Sequence, residues 1–64
     1  MKRYKWVKII DMLGVKHEYE NCQMSMFNGN IDILFAAPLG EVHDVYVRKN
    51  IISLSYFAEE SGVK

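Results

Sequence analysis

The sequence predicts an α+β fold: an N-terminal helix packed on one face of a four-stranded, mainly antiparallel sheet built from two β-hairpins. Three observations predict it. Apolar residues recur at helical spacing before residue 14, two later stretches alternate apolar and polar residues about a short tip, and Gly14 and Pro38 punctuate the chain between them.

The helix is expected over about residues 2–13. Trp6, Ile9, Ile10 and Leu13 fall at i, i+3, i+4 and i+7, with Val7 widening the stripe. Gly14 follows as a residue able to take the left-handed conformation at C′, and Val15 is placed to touch Ile10 in a Schellman ending. The start is less well specified. No Ser, Thr, Asp or Asn precedes it, and Lys2, Arg3 and Lys5 occupy the positive end of the helix dipole, where each cation costs about 0.3–1 kcal/mol. Either the first turn frays or an anion compensates it.

Lys16 to Asn21 reads as an extended polar approach in which Tyr19 is the one large apolar group. Beyond it the apolar parity switches from odd to even positions, at Cys22, Met24 and Met26, which requires a bulge or turn at Glu20-Asn21. The first hairpin spans about 22–36. Asn28-Gly29 is the strongest short-range signal for a two-residue type I′ turn, since both central positions need positive φ. That tip pairs Phe27 with Asn30, Met26 with Ile31, Met24 with Ile33 and Cys22 with Phe35, whereas a one-residue slip would scramble both faces. Leu34 and Ala36 make the second strand apolar on both sides, as in an interior strand.

Ala37 to Glu41 breaks the pattern, because Pro38 presets φ for a turn that Gly40 can close. A second hairpin is expected over about 42–57 with Lys49-Asn50 at its tip, pairing Val47 with Ile52, Val45 with Leu54 and His43 with Tyr56. Lysine is a poor type I′ residue, so a longer or bulged turn also fits. Phe57 to Lys64 is read as one helical turn ended by Gly62, leaving 58–64 as a tail. The expected core sets Trp6, Ile9, Ile10 and Leu13 against Met24, Met26, Ile31, Ile33, Phe35, Val45, Val47, Ile52 and Leu54.

Length limits the 64 residues to a single domain, 1–64, burying only about 60% of the surface of its unfolded chain, so stability is expected to be marginal. No apolar run approaches the roughly 18 residues of a membrane span. Lys5, Lys8 and Asp11 interrupt any signal-peptide core, and the lone Cys22 excludes an internal disulfide; the expectation is a cytoplasmic protein. Net charge is zero, yet residues 1–16 hold five cations against Asp11. This basic pole attracts nucleic acid or an acidic protein, or simply solvates an outer face.

Candidate chemistry is sparse. Cys22 with His17 or His43 is the one conceivable nucleophile and base, and the apolar face assigned to Cys22 disfavours its thiolate. The histidines have no carboxylate at ligand spacing from both, the four glycines lie apart, and Glu18, Glu20, Glu59 and Glu60 stand in polar segments. The expectation is a non-enzyme with no cofactor and no metal.

Val45 to Leu54, V-Y-V-R-K-N-I-I-S-L, resembles the second signature of Sm-like RNA-binding proteins, in which an apolar alternation runs into Arg-Gly, then Asn-Ile, then an apolar strand. The glycine after Arg48 is absent, the turn is one residue short, and no first signature stands upstream. The resemblance covers ten residues. It implies an N-terminal helix before five strands, nucleotide contact by Arg48 and Asn50, and a ring-shaped oligomer.

Two functional expectations follow. The first is a small interaction module binding another protein, itself included, of the accessory or inhibitor kind that phages and mobile elements encode. Its surface is the sheet face opposite the helix, where Phe27, Leu34, Tyr46 and Ile51 interrupt polar neighbours. The second is an oligomeric nucleic-acid or nucleotide binder using Arg3, Lys5, Lys8, Arg48 and Asn50. No membrane partner is expected.

Overall fold

The segment Lys2–Asp11 is a β-strand, β1, in the computed structural model, which describes residues 2–59. This corrects the expected helix. Tyr4, Trp6, Val7, Ile9 and Ile10 are aromatic or β-branched, the residues that favour a pleated surface over a helix. The missing N-cap and the cations at the would-be positive end are no defect in a strand. Gly14, at φ 85°, belongs to the turn that follows rather than to a helix C-terminus.

Four more strands follow: β2 (Lys16–Phe27), β3 (Asn30–Ala37), β4 (Gly40–Val47) and, after a three-residue 3-10 turn at Arg48–Asn50, β5 (Ile51–Ala58). All join one antiparallel sheet in the order β4-β3-β2-β1-β5. Among the described residues there is no α-helix, so the fold is all-β rather than α+β. The sheet has five strands where four were expected. The helical turn expected to end at Gly62 lies outside the described residues.

The leading hairpin forms in the register its sequence dictates. Asn28 and Gly29 take φ values of 54° and 76°, and Met24 faces Ile33, Met26 faces Ile31 and Phe27 faces Asn30. The Pro38-Leu39 turn then returns the chain so that Ala37 faces Gly40 and β4 runs along β3. The expected second hairpin is absent. β4 pairs with β3 alone, while β5 crosses to the far edge and pairs with β1, from Asp11 opposite Ile51 to Tyr4 opposite Ala58. Pairing with β3 sets Tyr46 beside Ile31 and Asp44 beside Ile33, on the inner face, and turns Val45 and Val47 outward.

Strands β1 and β2 change facing together. Tyr4 is paired with Cys22 and Val7 with Tyr19, and all four point inward although each strand's spacing is odd. Asn21, at φ 53°, absorbs the switch on β2, where the parity change was expected. The sheet therefore curls about a core of Tyr4, Val7, Ile9, Tyr19, Cys22, Met24, Ile31, Ile33 and Ile51, with Phe35, Tyr46, Leu54 and Ala58 packed against it. Of the expected core, Leu13, Met26, Val45, Val47 and Ile52 are exposed, and Trp6 and Ile10 are half-buried on the convex side.

Gly29→Val tests the type I′ turn. A Cβ there meets no atom within 4 Å, so any loss comes from the backbone alone. We expect destabilisation of about 1–2 kcal/mol, a fall of roughly 5–15 °C in Tm. A thermal melt indistinguishable from wild type would overturn the assignment.

Candidate functional site

Three features of the curled sheet are candidates: a polar cluster inside one end, two open strand edges, and a gathering of loops. The polar cluster begins with Tyr19 on β2, whose hydroxyl donates to Oδ2 of Asp44 at 2.8 Å. With that proton committed, the hydroxyl of Tyr46 donates in turn to the Tyr19 oxygen. Asp44 and Tyr46 belong to β4, which shares no backbone ladder with β2, so this chain of hydroxyls fastens the edge strand back across β3. Burial pushes both phenols above their ordinary range, and the Tyr46 and Asp44 bonds raise Tyr19 further. The ring of His17 lies 5.4 Å from that of Tyr46, tilted against it by 60°.

Beside it, Asp11 organises the β1–β2 turn. Its Oδ1 accepts from the amides of Leu13 at 2.9 Å and Val15 at 3.0 Å, and its Oδ2 accepts from Nε2 of His17 at 2.9 Å. These bonds, that of His17 foremost, hold the Asp11 carboxyl below the ordinary aspartate range. Every polar group here has a structural partner. Cys22 is fully buried, and burial raises its thiol. Among the described residues no three His, Cys, Asp or Glu side chains converge as metal ligands.

The edges differ in chemistry. On β4 the open edge carries Glu41, His43 and Asp44 among the exposed Val42, Val45 and Val47. On β5 the eight residues I-I-S-L-S-Y-F-A include no charge and no proline, and Ile52, Tyr56 and Phe57 are exposed. Among the described residues neither strand pairs on its outer side.

The residues nominated from sequence scatter. Ile51 is in the core, Tyr46 lies in the hydroxyl chain, Leu34 is half-buried on the convex face between Gln23 and His43, and Phe27 stands exposed at the hairpin tip. They do not share one face. Arg3 pairs with Glu59 at 3.3 Å, and the ammonium groups of Lys5 and Lys8 lie over the rings of Phe57 and Trp6, at 5.6 and 4.9 Å. Arg48 and Asn50 are apart from these, on the 3-10 turn. There the amide of Arg48 donates to the Gly29 carbonyl at 2.7 Å and the amide of Met12 to the Asn50 carbonyl at 3.1 Å. Asn28, Gly29, Asn30, Val47, Arg48, Lys49 and Ile51 line a shallow open groove in which a guanidinium and amide side chains can meet an anion.

The β5 edge was missed by sequence reasoning, although its signal was visible: Ile51–Ala58 is the longest stretch of strand-forming residues after Ala37 without a charge.

Two measurements check these environments. Because the folded pKa of Asp11 is depressed, its contribution to stability is present above the unfolded value near 3.9 and is lost as pH falls through the folded value. Asp11→Asn should lower the urea midpoint at neutral pH and flatten the acid limb of a midpoint-against-pH curve; an unchanged limb contradicts the role. Cys22 should react with a thiol reagent only as fast as the fold opens, so complete labelling of the native protein within seconds would refute its burial. No protein-family model, no curated protein and no solved structure matches the chain.

Proposed function

We propose that the protein is a self-associating interaction module that binds by strand addition at its open sheet edges. The observation that carries this reading is β5, an edge strand with none of the charges or prolines that keep such edges from pairing. An antiparallel sheet extended by a neighbour satisfies the free N–H and C=O groups and buries side chains at about 25 cal/mol per Å². For a chain of 64 residues that gain is large relative to its own core.

Charge selects the pairing. β4 against β4 of a second copy brings two acidic strands together, with Glu41 or Asp44 against its own counterpart according to register, whereas β4 against the uncharged β5 incurs no such repulsion. Such head-to-tail contact is heterologous, so it closes into a ring or grows as a filament. A ring is what the Sm-like resemblance implies. The reading keeps the expected self-association but moves its surface from a sheet face to the edges, because Tyr46 and Ile51 turn inward.

Light scattering behind gel filtration tests it. The wild type should run as an oligomer, and Ile52→Lys with Phe57→Lys on β5, or Val45→Lys on β4, should each give a folded smaller species. A wild type that stays monomeric to about 1 mM, where association is worth roughly 4 kcal/mol, would end the proposal. An oligomer indifferent to Val45→Lys but lost with the β5 pair would instead place β5 against itself.

A further inference from the structure

The gathered loops carry a second, independent surface. Three segments meet there: the β1–β2 turn (12–15), the hairpin tip (26–30) and the 3-10 turn with its flanks (47–52). They are stitched by the Met12–Asn50 and Arg48–Gly29 backbone bonds and by the pairings of Asn30 with Val47 and Asp11 with Ile51. Their composition departs from that of the chain. Among M-L-G-V, M-F-N-G-N and V-R-K-N-I-I there are two cations and no carboxylate, although the protein has eight. The acid nearest in sequence, Asp11, is held by the amides of its own turn and by His17. At the same place large apolar side chains stand in solvent: Leu13 is 89% exposed, Phe27 72%, Met12 62% and Met26 51%.

We propose that this loop end docks onto an anionic lipid bilayer, with Met12, Leu13, Met26 and Phe27 entering the headgroup and acyl boundary and Arg48 and Lys49 meeting lipid phosphates. The chemistry of the patch selects that partner. Cations with no opposing carboxylate among the described residues of these segments complement a negatively charged surface and add attraction at the headgroup level. The apolar groups sit on turns that project from the sheet, and shallow burial of such groups is what holds a protein in the interface plane. Nucleic acid offers phosphates too, but it rewards aromatic faces on which bases stack. Here three of the four apolar tips are aliphatic or thioether, with Phe27 the sole aromatic ring. No helix among the described residues is long and apolar enough to cross a membrane.

Co-sedimentation with vesicles of phosphatidylserine and phosphatidylcholine tests the proposal, with pure phosphatidylcholine vesicles and a single-stranded oligothymidylate as comparators. The wild type should partition onto the anionic vesicles and be released by rising salt. Arg48→Gln with Lys49→Gln should weaken this by roughly fivefold per charge removed. Leu13→Glu with Phe27→Glu should abolish it while leaving the circular dichroism spectrum and the oligomeric mass unchanged. Because that pair alters exposed turns, Phe27→Trp gives a second readout: its added emission should shift to the blue when anionic vesicles are supplied, and an unshifted spectrum overturns the insertion. Equal partition onto neutral and anionic vesicles, retention by the oligonucleotide without vesicle binding, or a Leu13 and Phe27 double variant that changes mass but not partition would each overturn the assignment.

Discussion

The joint bend of β1 and β2 is the constraint on which the remaining structure depends. Strand β2 has 12 residues and, drawn straight, would span about 36–40 Å. The turns that flank it, at Met12 and Gly29, are nevertheless bonded to opposite ends of the three-residue Arg48–Asn50 turn, a segment that reaches only about 10 Å. Both bonds form only because β2 folds over on itself. Asn21 in the left-handed region supplies that fold, and it lets Tyr19 and Cys22, three residues apart, both face the core. Asparagine is one of the few side chains that occupies this conformation at small cost.

Closure of the curl then falls to side chains. A backbone ladder joins β4 to β3 alone, and the Tyr46–Tyr19–Asp44 hydrogen-bond chain holds β4 over β2. The same contact explains why β4 turns its two bulky valines outward. Tyr46 and Asp44 occupy the inner positions because they have partners there, and Val45 and Val47, on the alternate parity, are left at the surface. Among the described residues nine buried hydrophobic side chains make a small core, so a large share of the apolar side chains lies at edges and loops instead. The two proposed surfaces draw on those side chains.

What the sequence shows clearly is whatever is decided locally. The Asn28-Gly29 tip fixes its own register, the Pro38 break fixes the next reversal, and the parity switch at Glu20-Asn21 announces the bend. The N-terminal segment misleads because a strand that changes facing midway, with Tyr4 and then Val7 and Ile9 inward, leaves apolar residues at spacings that a helix also satisfies. Strand propensity pointed the other way, and the absent cap agreed with it. The pairing of β5 with β1 joins residues about fifty positions apart, which no local pattern encodes. A hairpin from Val42 to Tyr56 passes the parity test because both strands are apolar on both faces. For the same reason Tyr46 and Ile51 read as surface residues, while Phe27, at a tip whose register is local, is placed outside by sequence and structure alike.

The two proposed surfaces reinforce one another through symmetry. In a closed ring formed by β4 meeting β5 of the next copy, every subunit is related to its neighbour by rotation about one axis, so the axial component of any projecting direction is the same in all copies. Loop ends inclined along that axis would meet a flat bilayer together. On that proposal each copy would contribute only two cations and four apolar tips, a contact that would release readily when single. Linked copies rebind before all have left, which raises the overall affinity by orders of magnitude without any new contact. The dependence runs one way: removing Phe27 and Leu13 from the surface leaves the edges intact, whereas a β5 edge blocked by lysines leaves the loop end in place but reduces it to a single weak contact. Partition onto vesicles should therefore rise more steeply than linearly with protein concentration in the wild type and linearly in the β5 variant, and equal slopes would separate the two surfaces.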